Sequence, residues 1–458
     1  MQKLLKLATL ALAVLMVVGL AACTSAAPAA TKAPDTKVAT DAPKTEAPTE
    51  APTAEPAKPV KLRLLVISAD ENRQKINANY IEANMAKALP GIEVEIEPGG
   101  GGDDFYNKVK TYNASGDLPD VWYSDAVTAV PIIGAGNQLD LTPYISKDGF
   151  MAKYSVPDAL KFSDGKIYTL SSGCDTYFNP RIFYHKEIFA KYGLQEPKTF
   201  DDLLAICTKL KSEGVNPIAM DGLAGWGPCL GLFQQMVQIE DPQAAQDLLQ
   251  NKIDFTNPVI KNALGRIQQL VKAGAFPEGI TTLDYGPANE MFTTKNSAMY
   301  FIFTWELPNL AKDPDVDFFL WPNVSADNTK YDPKNVMQFW GSPLNGYATF
   351  AKSKNLDAAV QLTEFCAMQD ALYFNDQKAP VTLDTGFKLT DVSPLMQKNL
   401  DVYNGAKIKI PSIWLNCMDA KTATEFGKCT SNLLTGEYAV DQFVTDFNPV
   451  WQANTWFK

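Results

Sequence analysis

Short apolar runs and amphipathic stretches alternate along the body of the chain. Residues 62–67 (LRLLVI) are almost continuously apolar, as expected for a strand buried on both faces of a parallel sheet. Residues 70–89 place apolar side chains on one face of a helix that ends before Gly91. Residues 92–96 (IEVEI) alternate, which predicts a half-exposed strand, and residues 120–124 predict a third strand. Strands joined by long helical connections indicate a βαβ sheet.

The same alternation restarts after Arg181. Thr199 and Asp202 have the spacing of a capping box, and the helix they begin carries an apolar stripe. The stripe consists of Leu203, Ile206, Cys207 and Leu210. The other predicted elements are a helix over 186–192, strands over 215–220 and 297–303, and a helix over 355–371 with Ala359, Leu362, Thr363 and Cys366 inward. About 400 residues are too many for one hydrophobic core, so we expect two α/β lobes.

The N-terminus has the features of an export signal. Lys3 and Lys6 precede an apolar stretch over residues 7–20, which is shorter than the roughly 20 residues of a spanning helix. It ends in Leu20-Ala21-Ala22-Cys23, which looks like the lipobox of bacterial lipoproteins. We therefore expect cleavage that leaves Cys23 lipidated on the cell membrane, outside the cytoplasm. An ordinary signal peptide with a chance cysteine is the alternative.

Residues 24–59 form an Ala/Thr/Pro-rich spacer with no aromatic residue and one large aliphatic side chain, Val38. Such a segment buries too little apolar surface to offset its ordering entropy, so we expect it to stay disordered. Repeated proline keeps it extended, at about 3 Å per residue.

Composition and charge narrow the classes of partner. Hydrophobic residues make up 46% and aromatic residues 11%, a globular composition rich in rings that stack on sugars. The formal net charge is −11, and loss of Lys3 and Lys6 with the signal would make it −13. Since no basic cluster interrupts this negative charge, nucleic acid and anionic lipid surfaces are poor partners. We expect a monomer.

Cysteine and histidine usage gives little support for a metal site. Six cysteines follow Cys23, and they allow fifteen disulfide connectivities. Cys207 and Cys366 lie on apolar helix faces and are expected to be buried; a bridge between Cys417 and Cys429 is the favoured pairing. There is no CxxC motif and His185 is the only histidine, so we expect no metal and no cofactor.

Five sequence segments occur in an order that resembles a known family. They are SGDLPDV at 115–121, DGKIYTL at 164–170, FYHKEIF at 183–189 with YGL at 192–194, PKTFDDL at 197–203, and NSAM at 296–299 with Trp305. Together they resemble the extracellular solute-binding proteins of ABC importers, in the sugar-binding branch that includes maltose-binding protein. The resemblance extends from Leu62 to Trp451. His185 replaces the family's usual asparagine at the start of a helix, where we expect it to be structural.

The resemblance implies an α/β fold of the type II periplasmic-binding-protein kind. Each of two lobes would contain a mixed, mainly parallel sheet flanked by helices, and several chain segments would form the hinge. The implied boundaries place residues 60–175 and 340–388 in lobe one, and 176–339 and 389–458 in lobe two. Crossings are expected near 174–182, 332–340 and 386–394.

A sugar presents C–H faces that stack on rings and hydroxyls that pair with carboxylates and amides. In open α/β sheets, ligands lie beyond the carboxyl ends of the strands. These two rules, and the implied crossings, select candidate ligand-binding residues: Asp70, Glu71, Asp125, Tyr177, Asn179, Trp226, Trp305, Glu306 and Trp340. Core packing is the alternative for each tryptophan, and it is preferred for Trp122. Gly99–Gly102 lacks phosphate-loop spacing and predicts a tight turn or room for a ligand.

The function that the resemblance implies is capture of a mono- or oligosaccharide between the lobes and its delivery to an ABC permease. No catalytic residue is assigned. The alternatives are a non-sugar solute, a sensory or adhesion lipoprotein that uses the same cleft, and an anchored glycoside hydrolase. The hydrolase would need two carboxylates about 5 to 9.5 Å apart across the scissile bond.

Overall fold

The computed structural model describes residues 59–69, 71–223 and 231–456. The expectations for Cys23, Asp70 and Trp226 therefore lie outside the described residues. Within these ranges, no helix combines the length and the apolarity that crossing a bilayer requires.

In these ranges the strands form three sheets. In chain order they are β1 (Val60–Val66), β2 (Ile92–Pro98), β3 (Val121–Ser124), β4 (Pro180–His185), β5 (Asn216–Ala219), β6 (Ser297–Phe303), β7 (Val316–Phe319), β8 (Val336–Phe339), β9 (Gly346–Thr349) and β10 (Ile408–Pro411). The sheet of lobe one has the order β2-β1-β3-β9, and that of lobe two has the order β5-β6-β4-β7. β10 and β8 form a separate parallel pair.

Helices cover both large sheets. The first ones are α1 (Glu71–Lys75), a π-helical stretch (Ile76–Glu82), α2 (Ala83–Ala88), α3 (Gly102–Ser115), α4 (Ala126–Gly134) and α5 (Thr142–Lys147). Lobe two begins with α6 (Lys186–Lys191), α7 (Phe200–Ser212), α8 (Phe233–Gln238), α9 (Pro242–Leu249), α10 (Pro258–Lys272), α11 (Tyr285–Thr293) and α12 (Leu307–Leu310). The remaining helices are α13 (Leu356–Asp376), α14 (Pro394–Gly405), α15 (Ile413–Cys417), α16 (Ala420–Leu434) and α17 (Val440–Gln452).

The local predictions for α7 are confirmed. The Thr199 hydroxyl accepts from the Asp202 backbone N–H at 3.2 Å, and the Asp202 carboxylate accepts from the Thr199 N–H at 2.9 Å. This capping box satisfies donors that the first turn of a helix leaves unpaired. The predicted apolar stripe of α7 is buried, including Cys207. β2 alternates in exposure as its sequence indicated, and the inward face predicted for α13 is buried.

The two sheets differ in how parallel they are. In lobe one, β1 pairs in parallel with β2 and β3, and only β9 is antiparallel. In lobe two, β4 is antiparallel to both of its neighbours, and only β5 and β6 are parallel, so this sheet is less parallel than expected. The connectivity explains both cases. β4 and β9 each follow a crossing between lobes, so they begin at the edge where the other strands end.

Adjacent segments of backbone connect the lobes. The first runs from Leu170 to Phe178, and the second leads from Trp340 to Tyr347. The two are antiparallel: Leu170 and Tyr347 exchange backbone hydrogen bonds of 2.8 and 2.9 Å, and the Trp340 N–H donates to the Phe178 carbonyl at 2.8 Å. A third connection follows α13, where the Leu383 N–H donates to the Ser172 carbonyl at 3.2 Å. The hinge is therefore built from several segments, as the fold type requires.

The cysteines are free thiols in the described residues, so the favoured Cys417–Cys429 pairing is wrong. Cys417 closes α15, and its Sγ donates to the Ile413 carbonyl at 3.0 Å. Cys429 lies on α16, where the Tyr438 hydroxyl donates to its Sγ at 3.7 Å. The burial predicted for Cys366 is confirmed, with 0% exposure.

Trp122 and His185 are structural, as expected. Trp122 is 0% exposed in the core of lobe one. His185 precedes α6, and its ring is fully buried and stacked on Phe292. Its two ring nitrogens lie 3.0 Å from an Asp315 carboxylate oxygen and 2.9 Å from the Phe292 carbonyl.

Stability should fall as pH rises through the range in which Glu364 of α13 titrates. Burial, followed by a hydrogen bond with Asp148, raises the pKa of Glu364 from 4.5 to about 8. Between these values the folded state binds a proton that the unfolded state has released, so folding is weakened with increasing pH. Because the side chain is partly exposed, we expect a loss of about 1–2 kcal/mol between pH 5 and pH 8.5.

Urea unfolding at these two pH values measures the effect. Glu364→Gln removes the titrating group and should flatten the difference by that amount. If the wild-type protein and the variant lose stability equally, Glu364 does not carry the proton.

Candidate functional site

The carboxyl ends of strands from both lobes lie at the cleft between the two lobes. β1 and β3 end there in lobe one. In lobe two, β6 ends where β4 begins, since Pro180 is paired with Phe303. The segments that follow β1 and β6 line a common interlobe cavity, to which α1 contributes Asn72 and the turn after β6 contributes Trp305. The site therefore lies beyond the carboxyl ends of strands, as the rule for α/β sheets requires.

Rings from several segments form one cluster between the lobes. This aromatic wall consists of Phe178, Phe303, Trp305, Trp340 and Trp414. Trp305 stacks on Phe303 with centroids 4.6 Å apart and an interplanar angle of 7°. Trp340 meets Trp305 edge to face at 5.1 Å, and Trp414 lies 6.4 Å from Trp340. All members except Phe303 are partly exposed.

The structure thus brings together Trp305 and Trp340, two residues selected from the sequence. Trp305 lies in the turn that directly follows β6, and Trp340 directly follows β8. Trp340 and Trp414 also pack against a buried cluster that joins α4 of lobe one to Leu415 of α15 in lobe two. The aromatic wall therefore contacts both lobes.

Glu306 directly follows Trp305 of this wall and is buried. It is 4% exposed, and its two carboxylate oxygens accept from the Tyr285 hydroxyl and, at 3.3 Å, from the Asn309 amide. A buried carboxylate with neutral donors keeps acceptor capacity for a hydroxyl. The position of the Glu306 carboxylate depends on Tyr285, the first residue of α11. Asp284 is the N-cap of this helix.

The two acidic candidates from lobe one differ in exposure. Asp125 follows β3, is half-buried, and its carbonyl accepts the N–H groups of Thr128 and Ala129 at the start of α4. Glu71 is exposed, and its carboxylate pairs with Lys75 at 2.7 Å. The Lys75 ammonium lowers the pKa of Glu71. Glu71 does not line the interlobe cavity.

Tyr177 and Asn179 lie on the first crossing in different settings. Tyr177 lines the cavity, and its ring is 4.3 Å from that of Tyr403 on α14. Asn179 is fully buried: its backbone N–H donates to the Thr304 hydroxyl at 2.9 Å, and its amide donates to the Gln338 carbonyl at 3.1 Å. Its amide oxygen accepts from Arg181 at 3.2 Å.

Arg181 is a buried cation that has amide partners and no carboxylate partner in the described residues. One of its guanidinium nitrogens donates to Asn179 and to Asn399 of α14, at 3.2 and 3.1 Å. Burial lowers the pKa of Arg181 to about 9. This guanidinium ties the first crossing to α14 directly behind the cavity.

The empty space of the interlobe cavity, counted with the solvent at its open mouth, is about 570 Å³. Lobe one contributes Asn72, Tyr373 and Phe374 to its walls, and lobe two contributes Trp305, Met396 and Asn399. A second cavity of about 890 Å³ lies on the other side of the crossing segments, where Gly173 and Asp175 face it. Successive residues of the first crossing thus face two different cavities.

A polar network at the cleft edge was missed by the sequence reasoning. Arg73 of α1 donates to Asp370 at 2.7 Å and to the Tyr123 hydroxyl at 3.0 Å, and its guanidinium lies 4.4 Å from the Tyr123 ring centroid. The Tyr347 hydroxyl donates to Asp370 at 3.0 Å. The four groups come from α1, β3, β9 and α13, so no local motif marks them.

The glycine run after β2 is explained by packing. A side chain on Gly99 would lie 2.4 Å from the Phe105 ring, and one on Gly101 would lie 2.6 Å from the backbone of Ala69. Gly100 adopts a φ of +76°, in the left-handed region that favours glycine. The run therefore forms a tight turn against the end of β1.

Among the described residues, His185, Asp313 and Asp315 are close enough to share a metal ion. Both His185 nitrogens are engaged, and the Lys295 ammonium lies 2.9 Å from Asp315. The Lys295 ammonium, followed by a backbone N–H and His185, lowers the pKa of Asp315 against the effect of burial. A lysine already supplies the positive charge, so we assign no metal here.

Comparison with known proteins gives a family match over the central part of the chain. Residues 72–371 match the family described as bacterial extracellular solute-binding protein. A probable sugar-binding periplasmic protein of Mesorhizobium japonicum is 34% identical over 31% of this chain and 34% of that protein. An alpha-glucosides-binding periplasmic protein of Rhizobium meliloti is 23% identical over 67% of this chain and 61% of that protein. The aligned part is thus less than two thirds of either relative.

Solved structures share the fold over most of both chains. A structure from work on xylan utilisation by Caldanaerobius polysaccharolyticus has a TM-score of 0.73 at 21% identity, covering 85% of this chain and 100% of that chain. A chitin oligosaccharide binding protein has a TM-score of 0.71 at 21% identity, covering 86% and 98%. At this identity the likeness concerns the two-lobed fold.

Proposed function

Because the chain belongs to the bacterial extracellular solute-binding proteins, we propose that it captures a mono- or oligosaccharide between its lobes and delivers it to an ABC permease. The observation that carries this proposal is the aromatic wall, which presents partly exposed tryptophan rings beside buried polar groups. Sugars need both kinds of contact. The names of the relatives from Mesorhizobium japonicum and Rhizobium meliloti support the same ligand class.

Within this site the rings and carboxylates have separate roles. Trp305 and Trp340 would stack on the faces of the sugar rings, and Tyr177 would form one wall of the binding site. Asp125 and Glu306 would accept hydrogen bonds from the sugar hydroxyls. Asp70, Glu71 and Trp226 remain candidates from the sequence. Asn179 would position the crossing segment and not contact the sugar, since its side chain is fully buried and engaged. Binding requires no covalent step.

The proposed lobe boundaries divide the strands into two groups. Residues 60–175 and 340–388 contain β1, β2, β3 and β9, and residues 176–339 and 389–458 contain the other strands. Closure of the lobes about the crossing segments would enclose the ligand, and the permease would recognise the closed form.

Anchoring is a further part of the proposal. The family is extracellular, and lipidation of Cys23 would hold the protein at the membrane surface. The proline-rich segment over residues 24–59 would then let the monomeric body reach its permease.

A thermal-shift screen of the mature protein tests the ligand class. Ligand that binds only the folded state at 100 times its Kd stabilises it by about 2.7 kcal/mol. A neutral mono- or oligosaccharide should therefore raise the melting temperature by a few degrees. Glycerol 3-phosphate, amino acids and short peptides form the control panel. A shift with a control compound and none with any carbohydrate would contradict the proposed function.

A further inference from the structure

The interlobe cavity has an unusual lining for a site between two acidic lobes. Among the described residues that line it, none is Asp, Glu, Lys, Arg or His. Asp125 and Glu306 are not part of this lining. A ligand group inside the cavity therefore meets no formal charge, and a charged group would lose its hydration without a partner.

Two amide groups on opposite walls each have an unused donor. The Asn72 side-chain oxygen accepts from the Tyr373 hydroxyl at 2.7 Å, which fixes the orientation of this amide in lobe one. The Asn399 oxygen accepts from Arg181 at 3.1 Å, which fixes the amide of lobe two. In the described part of the chain, neither Nδ2 group has an acceptor. Asn399 is 4% exposed, so its donor has the cavity as its outlet.

The hydroxyl of Thr304, by contrast, is already committed. It donates to the Tyr177 carbonyl at 3.0 Å and accepts from the Asn179 N–H at 2.9 Å. Since the side-chain oxygens of Asn72 and Asn399 also have donors, the groups that these two residues present from the cavity walls are N–H donors. Such walls favour a ligand group that accepts hydrogen bonds without needing to donate one.

Apolar side chains form much of the remaining cavity surface, beside the amides of Asn309 and Gln377. Leu307, Met396 and Leu400 come from lobe two, and Ala379 and Pro380 follow α13 in lobe one. A small apolar substituent that enters here would leave water for an apolar environment, which is favourable. The cavity thus combines unpaired donors with apolar contact area and no charge.

We propose that this cavity is a subsite for an acyl substituent of a neutral saccharide, an O-acetyl or N-acetyl group. The acyl carbonyl accepts from the amides of Asn72 and Asn399, and its methyl group packs against Met396 and Leu400. Trp305 lines this subsite and is also part of the aromatic wall, so the sugar ring that carries the group stacks on that wall. The inference rests on the proposed function, because it names the class of saccharide that the same cleft prefers.

Matched ligand pairs test the preference by isothermal titration calorimetry on the mature protein. Tetra-N-acetylchitotetraose and cellotetraose differ at C2, with an acetamido group in place of a hydroxyl. Acetylated and deacetylated xylotetraose form the O-acyl pair, and fully deacetylated chitotetraose supplies an ammonium at the same position. We expect the acylated member of at least one pair to bind about tenfold more tightly. The ammonium compound should bind the least tightly of all.

Conservative variants test the assigned donors. Asn399→Asp keeps an oxygen for Arg181 and replaces the donor with an acceptor, and Asn72→Asp does the same opposite Tyr373. Each should reduce the ratio between the affinities for acylated and plain ligand by about tenfold. Asn432→Asp makes the same change of charge at an exposed position of α16 and should leave this ratio of affinities unchanged. The melting temperatures report whether each variant is folded.

The outcomes distinguish failure of the acyl subsite from failure of the proposed function. The subsite is overturned if, in both pairs, the acylated member binds no more tightly than the plain saccharide. The proposed function still stands if the plain saccharides bind. An unchanged affinity ratio in both cavity variants also overturns the subsite. Binding of no saccharide at all overturns the proposed function itself.

Discussion

Trp305→Ala is expected to weaken oligosaccharide binding about 30- to 100-fold. The indole lines the interlobe cavity, stacks on Phe303, and meets Trp340 edge to face at 5.1 Å. Its loss removes the ring on which the sugar would stack and lets water into the site. Truncation of a central tryptophan typically costs a binding site about 2–4 kcal/mol. Calorimetric titration with the tightest oligosaccharide from the screen measures the change in Kd.

Two variants control this experiment. Trp305→Phe retains a ring and should recover most of the affinity. Trp122→Phe changes a tryptophan that is 0% exposed in the core of lobe one, so it should lower the melting temperature without changing Kd. Wild-type affinity in folded Trp305→Ala would remove this residue from the binding site.

Asp370→Ala is expected to lower the free energy of unfolding by about 3–5 kcal/mol, because it removes the carboxylate from a largely buried ion pair with Arg73. The side chains of Arg73 and Asp370 are 19% and 4% exposed, and they pair at 2.7 Å. The substitution also removes the acceptor of the Tyr347 hydroxyl. Urea unfolding measures the loss.

A double variant separates the pair from its surroundings. Asp370→Ala combined with Arg73→Leu removes both charges and should be more stable than Asp370→Ala alone, since replacing a whole buried pair is often nearly neutral. Asp370→Asn keeps an acceptor for Tyr347 and should cost less than alanine. A loss below about 1 kcal/mol in Asp370→Ala would show that water reaches Arg73 when its partner is removed.

The sequence allowed the local structure to be predicted where the signal is local. The apolar run after Lys61 became β1, the capping box at Thr199 began α7, and the strand over 297–303 became β6 within the same bounds. Each of these depends on neighbours within a few residues. Trp305 could be selected because it follows a predicted strand, and Trp340 because it lies at an implied crossing between the lobes.

Contacts between distant segments could not be predicted in this way. Arg73 and Asp370 are 297 positions apart, and Arg181 and Asn399 are 218 apart. Nothing in the residues around Asn399 indicates that its amide faces a cavity. The antiparallel direction of β4 also follows from the path of the chain between lobes, and not from the composition of the strand.

The most direct measurement is a crystal structure of the mature protein with the tightest neutral oligosaccharide bound. We expect closed lobes, a sugar ring stacked on Trp305 within the aromatic wall, and sugar hydroxyls paired with Asp125 or Glu306. A saccharide bound outside the cleft, or one in the cleft without contact to either Trp305 or Trp340, would contradict this expectation.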